Sequence, residues 1–231
     1  MKRILIAEDE DAIRDFVVIN LKRVGYEVVD VSDGEQALQV FRESGGDFDV
    51  VVLDVMMPGI DGFEVCEKIR AASNSIGIIM LSAKSQEMDK VRGLMTGADD
   101  YITKPFSPSE LVARVDAIYR RVSLAKAAPV EENEVVSGPF ALNSKSRTLL
   151  KNGKPVDLTQ VEFQIMEFFM KNPNTALERS AILDQVWGSN YYGDVKIVDV
   201  NIRRLRMKIE EEPSNPQYLQ TVWGFGYKWV V

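Results

Sequence analysis

Residues 50–62 read VVVLDVMMPGIDG. Four apolar residues, Val50 to Leu53, run straight into a carboxylate, Asp54, and then into a Pro-Gly turn. A run this short and this uniformly apolar reads as a strand covered on both faces of a parallel sheet. Three other stretches follow the same plan. Ile4 to Ala7 ends at Glu8 and Asp9, Ile78 to Leu81 ends at Ser82, and Tyr101 to Thr103 ends at Lys104. Ligands of such sheets bind outside the carboxyl ends of the strands. Three acids, a hydroxyl and a lysine should therefore meet in one shallow pocket.

Working outward, helix-length amphipathic stretches near 11–24, 34–43, 62–72, 86–96 and 108–121 separate these runs. Strand and helix alternate five times in the first 121 residues. That alternation predicts a doubly wound α/β domain with a five-stranded parallel, flavodoxin-like sheet. Residues 123–134, SLAKAAPVEENE, have little to bury and read as a flexible linker between domains at 1–122 and 135–231.

The second half has a different texture. Phe140–Leu142 and Thr148–Leu150 are short strand candidates, and Asn152-Gly153 marks a tight hairpin turn. Thr159 and Glu162 form a capping box for a helix that stops before Pro173. A second helix, about 179–187, ends at Gly188; a third starts after Asp194 and ends near Pro213. Strands at 219–222 and 227–231 flank Gly224-Phe225-Gly226. The order predicts a winged helix-turn-helix domain.

Composition sets limits. The chain has 231 residues, 45% of them hydrophobic, and a net charge of −7. No apolar stretch approaches the ~18 residues that span a bilayer, and the start carries no signal-peptide pattern, so a cytoplasmic protein is expected. The single cysteine, Cys66, excludes an internal disulfide. There is no histidine, which removes Ser-His-Asp and Cys-His catalysis and any His-ligated metal. If phosphate arrives from a phosphohistidine, another protein carries it.

The pocket's residue types suit one chemistry. Mg²⁺ takes oxygen ligands and keeps several waters, typically with one or two carboxylates; Glu8, Asp9 and Asp54 can supply these with a backbone carbonyl. An acidic nucleophile beside the cation can become an aspartyl phosphate. Lys104 would neutralise phosphoryl charge and Ser82 would donate a hydrogen bond to it.

These stretches carry a family resemblance. ILIAEDE, VVVLDVMMPGIDG, IIMLSAK and GADDYITKPF make residues 1–121 resemble the receiver domain of bacterial two-component response regulators. The whole chain is similar to the OmpR/PhoB type, a receiver followed by a winged-helix DNA-binding domain. The resemblance implies that Asp54 is the phosphoacceptor. It implies that Asp9, Asp54 and the carbonyl of Met56 bind Mg²⁺, with Glu8 acting mostly through water. Ser82 and Lys104 would contact the phosphoryl group, and Tyr101 would be an aromatic switch that turns inward on phosphorylation. The Lys104-Pro105 bond is usually cis in this family.

The resemblance also implies partners: a sensor histidine kinase, double-stranded DNA bearing a direct repeat, RNA polymerase, and a second copy of the chain when phosphorylated. The implied dimer pairs Lys90 with Glu110, Asp100 with Arg114 and Asp99 with Arg121, around Val91, Leu94 and Ala113. The segment 196–208 holds five basic residues and one acid, a basic cluster suited to DNA phosphates and guanines. As recognition helix and wing, the expected contacts are Lys196, Asn201, Arg203, Arg204, Arg206 and Lys208, with Thr221, Trp223, Tyr227 and Lys228. Trp223 departs from an arginine common at that wing position. A phosphatase with an aspartate nucleophile is the rival reading, but Met56 stands where its second acid is needed. The expectation is a phosphorylation-controlled transcriptional regulator, not an enzyme.

Overall fold

The structure is a computed structural model. It describes residues 2–83, 95–127, 134–189, 191 and 193–231, without the side chains of residues 121 and 124–127. The chain divides into two compact units, Met1–Ser123 and Leu124–Val231.

The first unit is the α/β domain that the strand pattern predicts. Strands β1 (Arg3–Ala7), β2 (Glu27–Val31), β3 (Val50–Asp54), β4 (Gly77–Ser82) and β5 (Asp100–Thr103) form one parallel sheet in the order β2-β1-β3-β4-β5. Helices α1 (Asp11–Arg23), α2 (Gly34–Glu43), α3 (Gly62–Ala72) and α4 (Pro108–Ala127) accompany it. The uniformly apolar runs have a simple cause: successive side chains enter opposite cores. Leu5, Val51, Leu53, Ile78 and Met80 pack with α2 and α3 residues. Ile4, Ile6, Val50, Val52, Ile79 and Leu81 pack with Val17 and Leu21 of α1 and Leu111, Val115 and Ile118 of α4. Asp33 and Asp61 cap α2 and α3 by accepting from the N–H groups of Gln36 and Glu64.

Two expectations change here. The last helix does not stop at residue 121 but runs on to Ala127, into the predicted linker. Leu124, Ala125, Lys126 and Ala127 are all strong helix formers, and no glycine or proline intervenes before Pro129. Glu134 already opens a strand. The helix expected near 86–96 lies mostly outside the described residues, as do Lys90, Val91 and Leu94.

In the second unit, β6 (Glu134–Ser137), β7 (Phe140–Asn143), β8 (Thr148–Lys151) and β9 (Lys154–Val156) form an antiparallel meander. Asn152 and Gly153 have φ of 51° and 74°, the left-handed pair that a tight hairpin needs. Helices α5 (Gln160–Lys171), α6 (Arg179–Trp187) and α7 (Lys196–Ile209) follow, with β10 (Ala176–Glu178) between the first two. The terminal strands β11 (Leu219–Val222) and β12 (Gly226–Trp229) join β10 in a sheet ordered β10-β12-β11. The capping box forms as read: Thr159 accepts from the Glu162 N–H, and Glu162 accepts from the Thr159 N–H.

Helix α7 ends at Ile209, earlier than Pro213 suggested. Glu210 turns extended, and its buried carboxylate accepts from the backbone N–H groups of Gln217, Tyr218 and Leu219 at 2.9, 3.0 and 2.8 Å. It thereby fixes the path into β11. Glu210→Ala would strand these donors. Hydrogen bonds to charged groups contribute ~1.5–3 kcal/mol each at most, and the loss is not additive. We expect a stability loss of about 2–4 kcal/mol, read as an earlier second transition in urea denaturation of the full chain.

Candidate functional site

The parallel register sets the ends of β1, β3, β4 and β5 side by side, because Ala7 pairs with Leu53, Asp54 with Leu81 and Ser82 with Thr103. Glu8, Asp9 and Asp54 each bring a carboxylate oxygen within 4.8 Å of the others. Lys104 reaches over them, its Nζ 2.8 Å from Glu8 Oε1 and 3.1 Å from Asp54 Oδ2. Glu8 and Ser82 are fully buried, Asp54 nearly so, and Asp9 is exposed. The pocket has an all-oxygen donor set and one open side. The second Glu8 oxygen, Oε2, is buried with no hydrogen-bond partner, which fits a site built to receive a hydrated divalent cation.

The electrostatics follow from burial. Desolvation pushes the Glu8 carboxyl up to about 7; the Lys104 hydrogen bond opposes this and Asp54 adds to it. Desolvation likewise raises Asp54, against the Lys104 charge and the Met56 N–H, which hold it down. Burial works against the Lys104 ammonium, but the Glu8 hydrogen bond and the Asp54 charge more than offset it, so its pKa is raised. Tyr101 is buried, 7% exposed, in the α2–α3 core. The Lys104-Pro105 bond is cis.

One positioning residue escaped the sequence reading. A Cβ on Gly62 would lie 2.1 Å from the carbonyl oxygen of Asp54. The start of α3 therefore presses directly on the strand end that presents the Asp54 carboxylate, and no side chain fits between. The signal was in the sequence, in the closing glycine of MPGIDG, but spacing alone does not say what a glycine approaches.

Of the expected dimer charges, Asp99, Asp100, Glu110 and Arg114 are paired inside the chain; Lys90 and the Arg121 side chain lie outside the described residues. Arg114 makes a two-pronged contact with Asp100 at 3.1 and 3.2 Å and a second with Glu110 at 2.8 Å. Asp99 is buried and binds Arg70 Nη2 at 2.6 Å and the Ile78 N–H at 2.8 Å. Ala113 is half-buried on the same helix.

On α7, Val198, Ile202, Leu205 and Ile209 face the core as read. Two expected DNA contacts are corrected. Asn201 is fully buried and donates to the Ile197 carbonyl at 2.9 Å. Arg204 is 6% exposed, with Nη2 3.0 Å from Glu162 Oε1. Burial alone would raise the Glu162 carboxyl; Arg204 and Lys208 outweigh it and hold it low. The capping residue of α5 thus draws an arginine of α7 inward. Lys208 also donates to Glu162, and Arg206 donates to the Leu219 carbonyl and the Thr221 hydroxyl. Tyr227 is buried and donates to Asp199. Lys196, Arg203 and Met207 are exposed on α7, and Trp223 is 91% exposed at the hairpin tip.

Comparison with known proteins agrees with both units. Residues 4–116 match the model of the response regulator receiver domain. Residues 153–229 match that of the transcriptional regulatory protein C terminal. The chain is 43% identical over 228 residues, 99% of both chains, to the sensory transduction protein RegX3 of Mycolicibacterium smegmatis. It is 42% identical over 98% of both chains to the uncharacterized transcriptional regulatory protein YclJ of Bacillus subtilis. Among solved structures, a mutant of RitR superposes with a TM-score of 0.78 at 26% identity over 99% of each chain. DrrB, a Thermotoga maritima OmpR/PhoB homolog, superposes at 0.52 with 31% identity over the whole of both chains.

The chain is an OmpR/PhoB-type response regulator. It belongs to the two-component, phosphorylation-controlled regulators of transcription that bind DNA through their C-terminal domain. None of the described helices is long and apolar enough to cross a membrane.

Two buried acids of this regulator, Glu8 and Glu162, have measurable consequences. The folded Glu8 carboxyl titrates near 7, against 4.5 when unfolded. Between these values the folded state binds more protons, so stability should fall as pH rises from about 4.5 to about 7. Asp54 acts in the same direction. Urea denaturation with a chelator present should show that slope, and Glu8→Gln should flatten it. An opposite slope would mean that Lys104 keeps Glu8 ionised throughout.

Arg204→Ala leaves Glu162 buried beside a single cation. Breaking a buried pair costs ~3–5 kcal/mol, and the remaining Lys208 puts this case near the lower figure. Arg203→Ala should be neutral for stability and should reduce the salt slope of DNA binding by ~1. Equal effects of the two substitutions on both measurements would contradict the assignment.

Proposed function

We propose that Asp54 is the phosphoacceptor of this regulator and that a sensor histidine kinase supplies its phosphoryl group. The observation that carries the reading is the convergence of three carboxylates and Lys104 at the strand ends. The chain has no histidine of its own, so the donor histidine belongs to the kinase. An oxygen of Asp54 attacks phosphorus, the kinase's P–N bond breaks, and an acyl phosphate forms. Lys104, already 3.1 Å from Asp54, is placed to transfer its hydrogen bond to a phosphoryl oxygen. Ser82 would serve the same pocket as a donor, and Tyr101, on the neighbouring strand, would be the aromatic switch. Asp9, Asp54 and the Met56 carbonyl, with Glu8 behind, would hold Mg²⁺, which would supply positive charge to the phosphoryl oxygens.

The receiver occupies about residues 1–122 and the DNA-binding domain about 135–231. The protein works in the cytoplasm, pairs as a homodimer when phosphorylated, binds a direct-repeat site, and acts on RNA polymerase there. Lys196 and Arg203 on α7 and Lys228 beside the wing are the cations we assign to contact with DNA. Arg206, Lys208, Thr221 and Tyr227 hold the helix and hairpin in place.

Incubation with acetyl phosphate and Mg²⁺, followed by intact mass, should add one phosphoryl group to the wild type and none to Asp54→Ala. Full labelling of the variant would sink the assignment. The dimer needs a different probe from its charges, because Arg114 serves Asp100 and Glu110 within the chain. Ala113→Glu disturbs neither pair. Sedimentation in beryllofluoride should report a dimer for the wild type and a monomer for this variant; an unchanged dimer means that another surface is used.

A further inference from the structure

The chain has three tryptophans. Trp187 and Trp229 are 1% and 0% exposed, whereas Trp223 is 91% exposed. Trp223 makes no ring-stacking or cation–π contact among the described residues. It stands at the corner of a turn closed by the Phe225 N–H to the Val222 carbonyl at 3.0 Å. Gly224, with φ of 73°, supplies the left-handed step. A large apolar ring held out at such a corner contributes nothing to the fold around it.

The turn is firmly held. Strand β12 is the middle strand of its sheet, and a Cβ on Gly226 would lie 2.0 Å from the Leu177 carbonyl oxygen. Arg206 of α7 donates to Leu219 and Thr221 on β11, at 2.8 and 2.9 Å. The backbone at Trp223 therefore keeps a fixed position relative to α7, while the indole projects from it into open space. From Pro213 to the C-terminus there is no acid and one base, Lys228, so nothing here repels a phosphate backbone.

We propose that Trp223 enters the minor groove edge-on and selects A·T over G·C base pairs there. The proposal rests on the reading that α7 lies in the adjacent major groove. The minor-groove floor of A·T pairs offers only the acceptors A N3 and T O2; a G·C pair adds the guanine N2 amine, a donor. The indole Nε1–H is a donor and accepts nothing. It complements the A·T floor, while the guanine amine both blocks the ring and meets its donor with another donor. An arginine at this position reads the groove by its charge; a tryptophan reads the functional groups of the floor.

The test uses the full chain activated with beryllofluoride and Mg²⁺, on a site selected from random duplexes. Each A·T pair flanking the helix contact is changed to G·C or to inosine·C, which lacks only the minor-groove amine. At the wing position, G·C should weaken binding ~5–10-fold, and inosine·C should restore most of it. Trp223→Ala should erase that difference while still binding; its emission, from two buried tryptophans, reports that it is folded. Bound A·T duplex should also shield the wild type's emission from acrylamide, since only Trp223 is exposed. Equal weakening by G·C and inosine·C, a preference that survives Trp223→Ala, or unchanged quenching on saturating DNA would each overturn the proposal. Failure of the wild type to bind any duplex would instead overturn the DNA-binding reading itself, and this proposal with it.

Discussion

One ammonium holds two buried carboxylates at the centre of the receiver. Glu8 and Asp54 repel each other and both lose hydration, and Lys104 is the cation that lies within 3.1 Å of each. Desolvation of such groups costs several kcal/mol per ion, and Coulomb attraction repays it only in good geometry. The geometry is supplied by the sheet. Strands β1, β3 and β5 end at the same level because their register is fixed by two apolar cores, one on each face. A slip of one residue in any of them would turn its core side chains to the wrong face. The pocket is thus a by-product of packing, and its chemistry follows from its shortage of positive charge. A cation entering it relieves an imbalance already present in the resting protein, and so makes room for the charge of a phosphoryl group.

The second unit uses the same physics for another end. Glu162 is fully buried; its Oε2 accepts from the Thr159 N–H and from Lys208, and its Oε1 faces the Arg204 guanidinium in an ion pair. It locks α5 to α7 and so sets the pitch of the basic helix against its support. The arrangement engages most of the helix's cations within the unit. Of the five bases in 196–208, Arg204 is buried, while Arg206 and Lys208 are committed to the hairpin and to α5. What remains is a narrow exposed stripe with Arg203 at its middle. On the proposed DNA-binding reading, affinity would depend on few phosphate contacts per domain, and a paired site would be physically useful, because two weak domains joined at one site gain through effective concentration.

The fold was legible because hydrophobic periodicity and turn chemistry agreed. The strand ends, the Asn152-Gly153 turn, the Thr159–Glu162 capping box and Gly188 after α6 all stood where local chemistry put them. Strand β10 was not legible, since three residues carry no period and take their strand character from β12 alone. The continuation of α4 into SLAKA was misread because a segment with little to bury can still have strong helix propensity. In the site, carboxylates at strand ends were legible as a set. Arg204 was not, because helical spacing ranks side chains by angle, and a long arginine can fold back onto a buried acid from an intermediate angle. No feature of residues 196–208 shows that Glu162 waits inside.

The same limit applies to the dimer face. Sign complementarity between Asp100 and Arg114 is equally consistent with a pair across two chains and with a pair inside one, and the geometry here is the internal one. An interface built on these charges must exchange partners rather than gain them. Exchange of one ion pair for another of similar exposure changes free energy little. Such charges therefore select the register and orientation of the second copy, and penalise wrong ones by leaving a buried charge unpaired. In the proposed dimer the net affinity would come from apolar contact around Ala113 and from the state of the phosphoryl pocket. That division of labour is what a switch requires: an interface strong enough without phosphate would be permanently closed, and one specified by apolar contact alone would lack direction.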